Sequence, residues 1–246
     1  MTLPEGIPTD PRGRLRGPLF EIGLKGYLWG EPAVRLAREA DRASAELGVT
    51  VVFDPQAVDI PAVAAATEHL LVFAQHMDGV EPGRGQGAML PEAIRAAGAD
   101  GAMLNHTERP MTIAELDAAI RRGREVGLLT MVCTDSPEQA AAVARLGPDI
   151  VLAEPPALIG GDRSVAAEMH GFVERTLELV GAVDPGIVVM CAAGIRTPDD
   201  VARMVELGVG ATGTTSGILR ADDPVAQTWA MLRSMREAWD RVHGHA

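Results

Sequence analysis

The chain has 246 residues, 47% of them apolar and 23% charged, which is enough apolar material for a core and excludes disorder as the main state. Its net charge of −12 argues against general nucleic-acid binding, which needs a basic face, and leaves any anionic ligand to local groups. In chain order, the apolar run Leu19–Lys25 predicts a first strand, and Val34, Leu36, Ala37, Ala40, Ala43 and Leu47 predict a helix over Glu31–Leu47 that Gly48 stops. Val49–Asp54 is a second strand, Ile60–Thr67 a short helix and Leu70–Gln75 a third strand. A Gly-rich loop, His76–Ala88, leads to a helix from Pro91 to Ala97 and a fourth strand, Gly101–Asn105. Thr112 and Glu115 form a capping box for the helix Ile113–Val126.

The alternation continues with the strand Leu128–Cys133 and a helix over Pro137–Leu146 capped by Ser136. The strand Asp149–Glu154, a loop over Pro155–Ser164 and a helix to Val183 follow. Ile187–Cys191, the helix opened by Thr197-Pro198, Gly210–Thr214 and a last helix from Asp223-Pro224 to about Val242 complete eight strand–helix units. The strands are short and apolar on both faces, as in a parallel sheet covered outside. Eight such units with no block of another class predict one α/β domain, a (β/α)₈ barrel over residues 18–246, preceded by an irregular extension at 1–17. A doubly wound sheet would carry a GxGxxG after its first strand; Gly83, Gly85 and Gly87 follow the third strand with other spacing.

Two cysteines, Cys133 and Cys191, suffice for neither a disulfide framework nor a four-ligand zinc site, and both end apolar runs as buried thiols. No apolar stretch has the ~18 residues of a membrane span, and residues 1–17 lack the apolar core of a signal peptide. A cytoplasmic protein with no membrane or nucleic-acid partner is the expectation.

In a barrel of this kind the chemistry sits at the C-terminal ends of the strands. Those ends carry Lys25, Asp54, Gln75-His76, Asn105-His106-Thr107-Glu108, Cys133, Glu154-Pro155-Pro156, Ala193-Gly194-Ile195-Arg196 and Thr215-Ser216-Gly217. One Lys, one His and one Glu make a minimal acid–base kit with an electrostatic stabiliser. The turns at Gly194-Ile195 and Ser216-Gly217 offer N–H groups to a phosphate, and Ser216 can open a short extra helix.

Several of these motifs together resemble the triosephosphate isomerases, in particular the shorter archaeal form. They are Gln56-Ala57-Val58-Asp59, Phe73-Ala74-Gln75-His76, Leu104-Asn105-His106-Thr107-Glu108, Glu154-Pro155-Pro156-Ala157-Leu158-Ile159-Gly160, Ala193-Gly194-Ile195 and Ser216-Gly217. The resemblance runs from about Leu19 to Val242. It implies a cofactor-free and metal-free aldose–ketose isomerase of a small sugar phosphate, most simply glyceraldehyde 3-phosphate and dihydroxyacetone phosphate, acting through an enediolate. It implies Glu154 as the base, His106 as the electrophile, and Lys25, paired with Glu108, as the electrostatic anchor. Gly160 and Gly161 of a lid over Pro155–Gly161, with Gly194, Ile195, Ser216 and Gly217, are the implied substrate and phosphate groups. The loop Asp78–Met89 resembles one by which family members embrace a neighbour, so a homodimer or homotetramer is expected.

The chain departs from the family at four places. Gly23 stands where the family has an Asn two residues before the lysine, and Asp162 replaces a lid Gly. Ala192 replaces a Gly in the seventh turn, and Arg196 stands where Ser is common, a group able to bind an anion or to cover the surface. These changes touch the substrate cradle, so a related phosphosugar such as a tetrulose phosphate is an alternative substrate. Two other readings are a metal-dependent phosphosugar epimerase using Asp54, His76 and Asp78, and a non-catalytic metabolite-binding barrel.

Overall fold

The structure is a computed structural model that describes residues 13, 15, 17–158 and 170–244. Eight parallel strands close into a barrel in sequence order: β1 (Leu19–Gly23), β2 (Thr50–Asp54), β3 (Leu71–Ala74), β4 (Gly101–Leu104), β5 (Leu129–Thr134), β6 (Ile150–Ala153), β7 (Val188–Cys191) and β8 (Ala211–Thr214). Around it lie α1 (Glu31–Leu47), α2 (Ile60–Ala66), α3 (Pro91–Ala96), α4 (Ile113–Val126) and α5 (Pro137–Ala144). They are followed by α6 (His170–Val183), α7 (Pro198–Glu206), the one-turn α8 (Ser216–Leu219) and α9 (Pro224–His243). The eightfold alternation expected from the sequence is therefore present as a closed barrel. Of the expected extension at 1–17, most lies outside the described residues; Leu15 packs against the barrel's interior cluster.

Strand parity divides the core in two. Phe20, Ile22 and Leu24 point outward into the layer shared with the helices. Leu19, Val52, Phe73, Met131, Leu152 and Met190 fill the barrel itself. Both sets are apolar because both faces of each strand are covered. Caps set the helix ends: Thr112 and Glu115 form the expected box on α4, Thr197 and Asp200 form another on α7, and Gly48 at φ 62° ends α1. On α9, Met231 and Met235 are fully buried, and Trp229 and Trp239 pack partly buried against the same layer.

Most predicted strands are longer than observed by one residue at an end, as at Asp149 and Glu154 around β6. Asp149 and Glu154 still donate backbone hydrogen bonds to Thr130 and Thr134, so the regular ladder ends inside the run of bonded residues and the sequence does not mark its last member. Among the described residues no helix is long and apolar enough to cross a membrane.

Candidate active site

One cavity of about 510 Å³ opens at the C-terminal end of the barrel. Lys25, His106, Glu108, Glu154, Gly194, Ile195 and Ser216, all singled out from the sequence, line it together. Gly160 and Gly161, with Asp162, lie outside the described residues. Gly217 and Arg196 do not reach the cavity lining. Gly217 sits behind the wall, donating its N–H to Thr214 Oγ1 at 3.0 Å; a Cβ there would meet the Ile195 carbonyl oxygen at 2.5 Å. Arg196 is exposed, its N–H bonded to Asp200 Oδ2 at 3.1 Å and its carbonyl accepting from Gln227 Nε2 at 3.0 Å. Arg196 thus stands one residue before Thr197, the N-cap of α7.

Lys25 follows β1 with φ 47°, a conformation that costs a non-glycine residue free energy and must be held by its surroundings. Two side-chain amides hold it. Gln56 Nε2 donates to the Lys25 carbonyl at 2.5 Å and Gln75 Nε2 at 3.0 Å; Gln75 also donates to the Asp54 carbonyl at 2.9 Å. The Lys25 ammonium meets Glu108 Oε1 at 3.1 Å. Lysine is one-quarter exposed and Glu108 well exposed, so the pair orients the ammonium more than it stabilises the fold.

His106 follows β4 through Asn105, another left-handed residue at φ 57°. Asn105 is locked on both sides: its Nδ2 donates to the Cys133 carbonyl at 3.0 Å and its Oδ1 accepts from the Met111 N–H at 2.9 Å. The Glu108 N–H donates to His106 Nδ1 at 3.1 Å. Nδ1 is therefore the acceptor nitrogen, and in the neutral ring the proton is on Nε2. Burial, with the Lys25 charge behind it, holds the imidazole pKa below the ordinary value. Nε2 lies 3.9 Å from Glu154 Oε2.

Glu154 follows β6, and only 15% of its side chain is exposed. Burial raises its pKa to about 7, against the opposing pull of Lys25. That value suits a group that takes and returns a proton near neutrality. Cys133 and Cys191 are buried, and burial pushes both thiols up, Cys191 to about 12, so neither is poised as a nucleophile.

Thr214, the last residue of β8, ties the two candidate phosphate turns together. Its Oγ1 donates to the Ile195 carbonyl at 2.6 Å while accepting from Gly217. The turn after β7 bends through Ala193 at φ 88° and Gly194 at φ 70°. Ala192, where the family has Gly, keeps φ negative and is buried in the barrel interior, so this replacement is free of backbone strain.

Sequence reasoning gave no role to Gln56, Gln75, Thr214 or Glu21. Glu21 points into the barrel beneath Lys25 and Glu154 and lines the cavity floor with Asp54. Its signal was legible: a lone charge inside the apolar run Leu-Phe-Glu-Ile-Gly. His76 and Asp78 bond to each other at 3.1 Å, and among the described residues no three His, Cys, Asp or Glu side chains converge as metal ligands.

Comparisons with known proteins identify the family. A family model described as triosephosphate isomerase matches residues 23–231. The triosephosphate isomerase of Methanobacterium bryantii is 39% identical over 209 residues, covering 84% of this chain and 92% of the relative. That of Methanosarcina mazei is 36% identical over 218 residues, covering 88% and 98%. A crystal structure of triosephosphate isomerase from Bartonella henselae superposes with a TM-score of 0.66 at 17% identity, covering 88% of this chain and 99% of that one, which speaks for the fold. With most of its length matched and the motif residues gathered at one barrel mouth, the chain belongs to the triosephosphate isomerase family.

Proposed function

We propose that the protein interconverts glyceraldehyde 3-phosphate and dihydroxyacetone phosphate through an enediolate, without metal or cofactor. The observation that carries this reading is the meeting of Glu154, His106 and Lys25 in one cavity, with His106 Nε2 3.9 Å from Glu154 Oε2. Glu154 removes a proton from the carbon beside the carbonyl and returns it to the neighbouring carbon. His106 gives its Nε2 proton to the carbonyl oxygen as negative charge develops there and takes one back from the neighbouring hydroxyl as that oxygen becomes the new carbonyl, and Lys25 stabilises the negative charge of the intermediate. The phosphate is held by the turns at Gly194-Ile195 and Ser216, with Gly160 and Gly161 as further binding groups.

An acidic chain binds this anion because the groups at the mouth are local: an ammonium and turn N–H groups. Assay of purified protein with glyceraldehyde 3-phosphate, beside four-carbon ketose phosphates, tests the reading; turnover of none of them overturns it. Solvent deuterium appearing in the product would report the enediolate.

We also propose a homo-oligomer, dimer or tetramer. Asp78 ties off the ends of the loop that leads to Met89, through N–H to the Met89 carbonyl at 3.0 Å and Oδ2 to the Met89 N–H at 2.7 Å. The large apolar side chains Tyr27, Trp29 and Val58 are exposed on the loops after β1 and β2. Light scattering in solution at the mass of a single chain would remove this proposal.

A further inference from the structure

Glu21 raises a question that the isomerase reading does not answer. It is 6% exposed, inside a barrel otherwise filled by apolar side chains, and its neighbour Asp54 is 1% exposed. Among the described residues, no N–H or hydroxyl group donates to either carboxylate oxygen of Asp54. The Glu21 carboxyl is its acidic neighbour, and burial raises the pKa of both groups. Two buried acids cost stability that apolar residues of equal size would not.

The backbone around Glu21 is shaped for it. Gly213 on β8 is its register partner, and a Cβ there would meet Glu21 Oε2 at 2.5 Å and Glu21 Cβ at 2.7 Å. Gly23, two residues along β1 on the same inward face, would meet Glu21 Oε1 and Thr215 Oγ1, the latter at 2.8 Å. So the space next to Cα of residue 23, where an inward side chain two positions before Lys25 would begin, is taken by the Glu21 carboxyl and the Thr215 hydroxyl. Glu21, Gly23, Thr215 and Lys25 all line the same cavity.

We propose that Glu21 is a substrate-binding residue, its carboxyl group hydrogen-bonding an oxygen of the bound phosphosugar from the cavity floor in place of a side chain at position 23. This rests on the isomerase reading for the identity of the substrate, and not for the role of Glu21. Burial and the neighbouring Asp54 raise the Glu21 pKa well above its ordinary value, which favours the protonated carboxyl, a group able to donate to a carbonyl or hydroxyl oxygen and to accept from one. The ligand class is a short phosphorylated polyol or ketose with an oxygen on the carbon that faces the floor.

The test compares E21M, which keeps the volume and loses the polar head, with E21Q, which keeps a donor and an acceptor. With glyceraldehyde 3-phosphate, kcat/KM should fall at least about tenfold in E21M and stay within about threefold of wild type in E21Q. The melting temperature of E21M should be unchanged or higher, which separates lost binding from lost folding; E21A serves as the second variant where Met is not accommodated. E21M within about twofold of wild type, or E21Q falling as far as E21M, would overturn the inference. A wild type that turns over no substrate overturns the isomerase reading alone. Glu21 is then judged by calorimetric titration of glycerol 3-phosphate: a Kd about tenfold weaker in E21M supports it, and an unchanged Kd, or no binding to wild type, ends it.

Discussion

The backbone N–H of Glu108 donates to His106 Nδ1 at 3.1 Å, while the Glu108 carboxylate holds the Lys25 ammonium at 3.1 Å. A single residue thus sets the histidine tautomer with its backbone and the lysine position with its side chain. The ring is left with its hydrogen on Nε2, the nitrogen nearer Glu154. Nitrogen-15 NMR of the histidine side chains should show His106 as the neutral Nε2–H tautomer at neutral pH, titrating below the ordinary value of 6.5. An Nδ1–H tautomer would contradict the geometry.

Because burial lifts Glu154 to about 7, the base form grows as pH rises through that value. The acidic limb of kcat/KM should bend near 7 rather than near the ordinary 4.5. Replacing Glu154 by Gln should lower kcat by about a thousandfold or more with the fold unchanged, as circular dichroism would report; a loss under about tenfold would remove Glu154 as the base.

The same shift has a stability consequence. An acid whose folded-state pKa lies above its unfolded one holds its proton more tightly when native, so stability falls as pH rises. For Glu154 the penalty is absent below the ordinary 4.5, grows above it and is complete above about 7. E154Q should therefore melt a few degrees higher than wild type at pH 8 and at about the same temperature near pH 4. Thermal scans at the two pH values check this; equal differences at both would refute it.

Lys25 should depend on the amides that hold its backbone. Q75L removes the donor to the Lys25 and Asp54 carbonyls and releases the φ 47° turn. We expect kcat to fall about tenfold while overall secondary structure is kept. K25M should cost far more, and E108Q less than K25M, since Glu108 is mostly exposed and orients a charge that remains. Steady-state kinetics of the three variants would establish or break that order.

Gly213 should tolerate no side chain. An added Cβ meets not only Glu21 but also its backbone oxygen at 2.7 Å, so a strand would have to move. G213A should destabilise the protein by about 1–3 kcal/mol in denaturant unfolding. A neutral result would show that the β1–β8 pair is looser than its register implies.

Much of this protein was legible in its sequence where the signals are local. Apolar spacing and caps marked α1 at Glu31–Leu47 and α4 at Ile113–Val126 with the observed bounds. The eightfold alternation announced the barrel, and the polar residues that end its strands include Lys25, His106 and Glu154, now found around one cavity. Propensity, capping and strand–helix order act over a few residues, so a single chain displays them.

The rest was decided by strand pairing. In strands apolar on both faces, composition does not say which residues point inward, so Glu21 could not be assigned to the barrel interior until register set it beside Gly213. The same holds for Gln56 and Gln75, which hold Lys25 from 31 and 50 residues away. Nor could sequence show that Gly217 stands behind the cavity wall and Arg196 outside the cavity lining. Closure of eight strands fixes parity and register at once, and those relations join residues far apart in the chain.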